Sequence, residues 1–184
     1  LENSIRVSKF PMSTNVDDLN SNVTKTVVSL AQSKKGEGHD NFLVGIVVQC
    51  DLNAPIKFWT EFQRYHYADI VSSQSTIHRI TKFDLAESYD KYVDQRVIEI
   101  MKEKVNEYNR LTKSVVPQGI KESTYHSSEL RKKYLEILMT NPCGMELTAG
   151  ITTNYRQLKT IYCQRRNHIL PSWQHFCDWI ETLP

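Results

Sequence analysis

The sequence is poor in the features that mark several large classes of protein. Among its 184 residues only four are cysteines, Cys50, Cys143, Cys163 and Cys177, and no two form a C-x-x-C pair. That excludes a disulfide-stapled framework and the usual zinc-ribbon spacing. His168 and His175 have no Cys or carboxylate at ligand spacing, so no metal is expected. No apolar run approaches the roughly 20 residues needed to cross a bilayer, which excludes a helical membrane span. An excess of one charge is also missing. The 23 Lys and Arg residues against 21 Asp and Glu leave a net charge of +2. Arg165-Arg166 and Lys132-Lys133 are too sparse to make nucleic acid an expected partner. The start carries no secretory apolar core, so the expectation is reduced thiols in a cytoplasmic protein.

What is present is ordinary globular composition, 40% hydrophobic and 24% charged, enough for one domain over residues 1–184. Residues 1–40 are rich in Ser, Asn, Asp and Lys and take no assigned role beyond a short helix at Thr24–Ala31. The run Phe42–Leu52 is nearly continuously apolar and predicts a strand buried on both faces. Asn53 and Pro55 then read as a helix start, with Trp59, Phe62 and His66 following at helical spacing. Residues 69–80 read as a loop or short strand. Val93, Val97, Met101, Val105 and Tyr108 predict the core stripe of a long helix from Ser88 to Leu111. Helices are also expected from Ser128 to Met139, from about Thr152, and from Pro171 onward, with a break at Asn141–Gly144. The predicted class is α+β: a helix-dominated domain with a small, mainly antiparallel sheet.

Two segments carry chemistry. In the first, Arg64-Tyr65-His66 is followed by Ser72, Ser73, Gln74, Ser75, Thr76, His78 and Arg79. Guanidinium forks and hydroxyls supply several donors in fixed geometry, as phosphate oxygens require. The bland alternative pairs Arg64 with Glu61 and packs His66 beside Trp59 and Phe62. In the second, Thr152, Thr153 and Asn154 open a helix whose Leu158, Ile161, Tyr162 and Arg165 share a stripe at roughly 100° per residue. Arg165 ends an apolar face and needs an anionic partner. Arg156 points the opposite way, so if both arginines bind ligands they serve different pockets or different subunits. The alternative is an amphipathic helix with Arg near its C-terminus complementing the dipole.

Ala54-Pro55-Ile56 running into Arg64-Tyr65-His66 resembles the entry of flavin-dependent thymidylate synthases into their signature R-H-R-x-x-S-x-N-E-x-S-x-R. Thr152-Thr153-Asn154-Tyr155-Arg156 to Arg165 is similar to that family's T-V-N-A-R-S-L … L-R helix, and Pro142 falls where the family has a Pro upstream. The two matches occur in order and lie within residues 41–184. The resemblance implies a homotetramer binding FAD and a pyrimidine deoxynucleotide. Its reaction moves a methylene from methylene-tetrahydrofolate to the uracil ring, with NADPH reducing the flavin. It places Arg64, His66, Asn154 and Arg156 on the cofactor, and Arg64, Gln74, Ser75, His78, Arg79 and Arg165 on the nucleotide. Within that set Ser75 stands for the signature Ser, and His78 or Arg79 for the last Arg.

The departures concern charged groups. Tyr65 and His66 replace the second and third signature residues, Asp69 replaces the first Ser, and no Asn-Glu pair occurs in 69–80. Gly45 stands where the family carries a flavin-binding His, and Thr148 where an Arg meets the nucleotide. Such losses from a polar pocket weaken binding substantially. Two functions are therefore expected: a flavoenzyme acting on a pyrimidine nucleotide with altered chemistry, or a non-catalytic binder that sequesters or senses one.

Overall fold

The computed structural model describes residues 24–34, 36–115 and 128–184. The chain is helix-dominated, with a three-stranded sheet in the order β1-β3-β2, where β1 is Val47–Pro55, β2 Asp69–Ser73 and β3 Glu146–Asn154. Gln49 bonds to Thr152 while Asn53 bonds to Glu146, so β1 and β3 run antiparallel. Gln74 meets Thr148 and Ser72 lies against Gly150, which sets the same sense for β3 and β2. The expected α+β class with a small antiparallel sheet is what the chain forms.

The chain divides into two compact units, one drawn from Leu1–Leu52, Thr60–Ser72 and Ala149–Pro184, the other from Asn53–Trp59 and Ser73–Thr148. In the first, helix α1 (Lys25–Ala31) starts at Thr24, whose hydroxyl accepts from Val27 N at 3.4 Å, as the sequence predicted. Phe42 and Leu43 do not begin a strand. They lie in a 3-10 turn over Asn41–Gly45 and bury with Val27 and Ile46. Strand β1 follows, and it is not buried on both faces: Val47, Gln49, Asp51 and Asn53 alternate outward, Val47 63% exposed. The polar residues at every second position give the physical reason.

Asn53 is a strand residue, not a cap, and helix α2 (Ile56–Phe62) begins directly after Pro55. Because α2 ends at Phe62, His66 falls in a turn and is exposed; it does not pack beside Trp59 and Phe62. β3 stands where the sequence reading expected the helix near Thr152 to begin. Ala149, Ile151 and Thr153 bury at alternate positions, and Asn154 then caps helix α6 (Tyr155–Arg165) by accepting from Gln157 N at 2.9 Å. Helix α7 (Pro171–Glu181) buries Trp173, Phe176 and Cys177, and the rings of Trp173 and Phe176 pack with Phe62.

Residues 69–80 resolve into the whole of β2, of which Asp69–Ser72 belong to the first unit, and a short helix α3 (Thr76–Arg79) in the second. The long helix α4 runs Gln95–Val115, later at both ends than expected. Asp94 Oδ1 accepts from Arg96 N and starts it, while Tyr89 bridges to Met145 and Ser88 O accepts from Glu146 N. The stripe Met101, Val105 and Tyr108 is buried as predicted, joined by Ile98; Val93 and Val97 are half-buried. Helix α5 (Ser128–Thr140) packs along α4 through Leu130 and Ile137. Among the described residues no helix is long and apolar enough to cross a membrane.

Candidate functional site

The end of α6 holds the most organised polar cluster of the first unit. Leu158 and Ile161 are buried, and one turn on Arg165 is carried to the edge of that apolar face. Its Nη1 donates to Glu61 Oε2 at 3.0 Å and its Nε donates to the Tyr65 hydroxyl at 2.9 Å. The guanidinium lies 4.8 Å from the Trp173 ring centroid and 5.8 Å from that of Tyr65. Glu61 also accepts from Trp173 Nε1 at 3.1 Å, and His168 Nε2 stands 3.5 Å away. His168 Nδ1 accepts from Leu170 N, so the ring's remaining proton faces Glu61. Tyr65 in turn donates to Gln164 Oε1 at 3.0 Å. Arg165 has the anionic partner its position demanded, and that partner is internal.

Arg156 occupies a separate cluster, as its opposite direction on the helix required. Its Nη1 donates to Asn41 Oδ1 at 2.7 Å, and its Nε lies 3.5 Å from Asp40 Oδ1. Asp40 is only 5% exposed at its side chain. Lys159 Nζ donates to its Oδ2 at 2.9 Å and to Ala31 O and Ser33 O. The Lys159 hydrogen bond is the main reason the Asp40 carboxyl sits below its usual range, and it outweighs the opposing effect of burial. The cluster ties the end of α1 to α6. Asn154, the other flavin-side candidate on this helix, spends its Oδ1 on the cap.

Arg64 and His66 lie in the turn after α2, both exposed. Arg64 does not pair with Glu61, which is taken by Arg165 and Trp173. This turn walls a cleft of about 270 Å³ lined by Gln63, Tyr65, His66, Ala68, Asp69 and Ile70.

Gln74, Ser75, His78 and Arg79 belong to the second unit. Gln74 closes a two-bond clasp on Thr148, accepting from its N–H through Oε1 and donating its own backbone N–H to Thr148 O, each at 3.0 Å. Ser75 precedes α3 without capping it through its side chain, and His78 and Arg79 are exposed on that helix. Among the described residues no group of His, Cys, Asp and Glu is set to hold a metal. Sequence reasoning missed Asp40 and the role of Glu61. Glu61 had one signal, an acid facing an arginine-rich region, but its partner proved to be Arg165.

No protein-family model matches the sequence, and no curated protein does either. Solved structures do match in three dimensions. A flavin-dependent thymidylate synthase ThyX from Helicobacter pylori complexed with FAD and dUMP superposes with a TM-score of 0.64 at 14% identity, covering 98% of this chain and 89% of that one. A second ThyX structure from the same organism, also with FAD and dUMP, gives 0.62 at 14% identity over 96% and 82%. The chain shares the fold of these flavin-dependent thymidylate synthases along nearly its whole length.

Proposed function

We propose that this chain is a nucleotide-binding protein on the thymidylate synthase scaffold, and that it binds its ligand without transferring a methylene group. One observation carries the reading: the fold match to ThyX, whose structures hold FAD and dUMP, extends over 98% of the chain. Arg64 is a cation that stands ready for a ligand phosphate, exposed and, like Arg79, without an ion-pair partner among the described residues.

The non-catalytic part rests on where the other candidates spend their polar atoms. Arg165 is neutralised by Glu61, Arg156 is engaged with Asn41 and Asp40, and Asn154 caps its helix. Of the four positions given to FAD by resemblance, only Arg64 and His66 stand exposed. This donor set does not fit a tightly held FAD, and no chemistry through FAD, NADPH or methylene-tetrahydrofolate is assigned to it. The test is calorimetric titration of purified protein with pyrimidine deoxynucleotides and with FAD, alongside an absorbance scan. Nucleotide binding without flavin absorbance is expected. NADPH oxidation in the presence of FAD and deoxyuridylate would establish the flavoenzyme reading instead, and failure to bind any nucleotide would overturn both.

A further inference from the structure

The three departures from the signature that fall between residues 65 and 69 converge on one place: Tyr65, His66 and Asp69 all line the cleft of about 270 Å³, with Gln63, Ala68 and Ile70 completing it. Half of its lining is polar, from Gln63, His66 and Asp69, and half apolar or aromatic, from Tyr65, Ala68 and Ile70, a mix that suits the edge and the face of a small heterocycle. Tyr65 is a platform fixed in advance. Its hydroxyl is bonded to both Arg165 and Gln164, and its ring packs edge-on against Phe62 and Trp173 at 6.4 and 5.9 Å. Arg165 covers one face of the ring, and the part of Tyr65 that lines the cleft packs against a base of any type, so it supplies affinity and little choice. Choice must come from Gln63, His66 and Asp69. Both Gln63 and His66 offer a donor and an acceptor, and so tolerate either edge of a base. Asp69 is different: a carboxylate offers acceptors only.

We infer that this cleft holds the base of the bound nucleotide and that Asp69 selects a pyrimidine with an exocyclic amino group, cytosine-like, over one with a 4-oxo group. The inference rests on the nucleotide-binding reading above. Set opposite the 4-position, the carboxylate accepts from a 4-amino group, whereas a 4-oxo group there sets acceptor against acceptor and leaves uracil only its N3–H to donate. The side chains of Gln63, His66 and Asp69 have no hydrogen-bond or ion-pair partner among the described residues, so a ligand breaks no bond to any of these to reach them. Arg64 borders the cleft in sequence and is exposed, where it can take the phosphate.

The experiment is isothermal titration of the full chain and of Asp69→Asn with deoxycytidylate and deoxyuridylate. The wild type is expected to favour deoxycytidylate by about tenfold, the effect of one well-placed base contact of roughly 1.4 kcal/mol. Asn presents both an N–H and a carbonyl in nearly the same shape, so Asp69→Asn is expected to abolish or reverse the preference. Thermal melts of the two proteins check that this exposed substitution leaves the fold intact. Equal affinity, a wild-type preference for deoxyuridylate, or an unchanged preference in Asp69→Asn overturns the base assignment while leaving nucleotide binding standing. Binding of neither nucleotide, nor of any other, overturns the parent reading and this one with it.

Discussion

The Arg165 guanidinium and the Glu61 carboxylate, 104 positions apart in the chain, meet at 3.0 Å with both side chains about four-fifths buried, 20% and 17% exposed. An ion pair at that depth contributes little net stability when intact but is costly to break from one side. Glu61→Gln leaves Arg165 charged between Trp173 and Tyr65 with no anion beside it. The expected loss is about 2 kcal/mol, below the roughly 3–5 kcal/mol of fully buried pairs because water still reaches this one. Urea denaturation measures it. Adding Arg165→Met should restore part of the loss, since the second change removes the stranded charge; a double variant no more stable than Glu61→Gln would contradict the account.

Asp40 should give the first unit a distinct acid sensitivity. Its carboxyl is held below the ordinary value of 3.8, chiefly by the Lys159 hydrogen bond. A carboxyl whose folded-state pKa lies below its unfolded value contributes stability above the ordinary range, and that contribution is lost as pH falls through the folded value. Stability of the wild type should therefore fall with acidification below about pH 4, and Asp40→Asn should show a shallower fall there. Lys159→Met, tested near neutral pH, takes the shorter of two cationic contacts from a nearly buried carboxylate and leaves Arg156 at 3.5 Å, so it should cost about 2 kcal/mol. Identical acid limbs for wild type and Asp40→Asn would sink this reading.

How much of this was legible in the sequence differs from element to element. Met101, Val105 and Tyr108 announced their helix because a stripe at that spacing has one simple solution. The opposite directions of Arg156 and Arg165 followed from helical geometry, and the structure gives them separate partners. β3 was hidden because its buried face is Ala149, Ile151 and Thr153, weakly hydrophobic, and because Thr152-Thr153-Asn154 reads equally as a helix start. Asn154 in fact does both, ending the strand and capping α6. The apolar run at Phe42–Leu52 misled in the other direction, since its first residues bury in a 3-10 turn and its later ones alternate. The partners of the arginines could not be read at all. Asp40 and Glu61 reach them only through the fold: the local signal at Glu61 pointed to Arg64 and not to Arg165, and nothing local marks Asp40.

Gly144 is fixed by the close approach of the chain ahead of α4. An added Cβ would lie 2.2 Å from Val93 Cγ2, while the Gly144 carbonyl accepts from Asp90 N at 2.9 Å. Its φ is not in the left-handed region, so the constraint is one of space. Valine is stiff at χ1 and cannot swing its methyl away. Gly144→Ala should cost about 2 kcal/mol, a typical overpacking penalty. Val93→Ala in the same chain should recover most of it, and chemical denaturation of the two variants checks the pairing.

The four cysteines should separate by reactivity. Cys143 and Cys163 are exposed, whereas burial pushes the Cys50 and Cys177 thiols up, helped at Cys50 by Asp51 and at Cys177 by Asp178. The thiolate is the reactive form, so both groups are slowed. Timed alkylation at neutral pH, read by peptide mass spectrometry, should label Cys143 and Cys163 first and Cys177 only on unfolding.

Tyr89 places the opposite limit, at high pH. Burial pushes its phenol up to about 12 from an ordinary 10.0, and its hydroxyl donates to Asn141 Oδ1 at 3.0 Å. A raised folded-state pKa means the folded chain keeps its proton after the unfolded chain has lost its own. The corresponding stability is complete below pH 10 and drains away as pH rises from there toward 12. Tyr89→Phe removes that titration along with one hydrogen bond, so it should be less stable by about 1 kcal/mol at neutral pH. It should then lose stability less steeply above pH 10, narrowing the gap to the wild type. Denaturation midpoints collected from pH 8 to 12 decide the matter, and a gap that stays constant with alkalinity would show that the phenol ionises as readily in the folded chain as in the unfolded one.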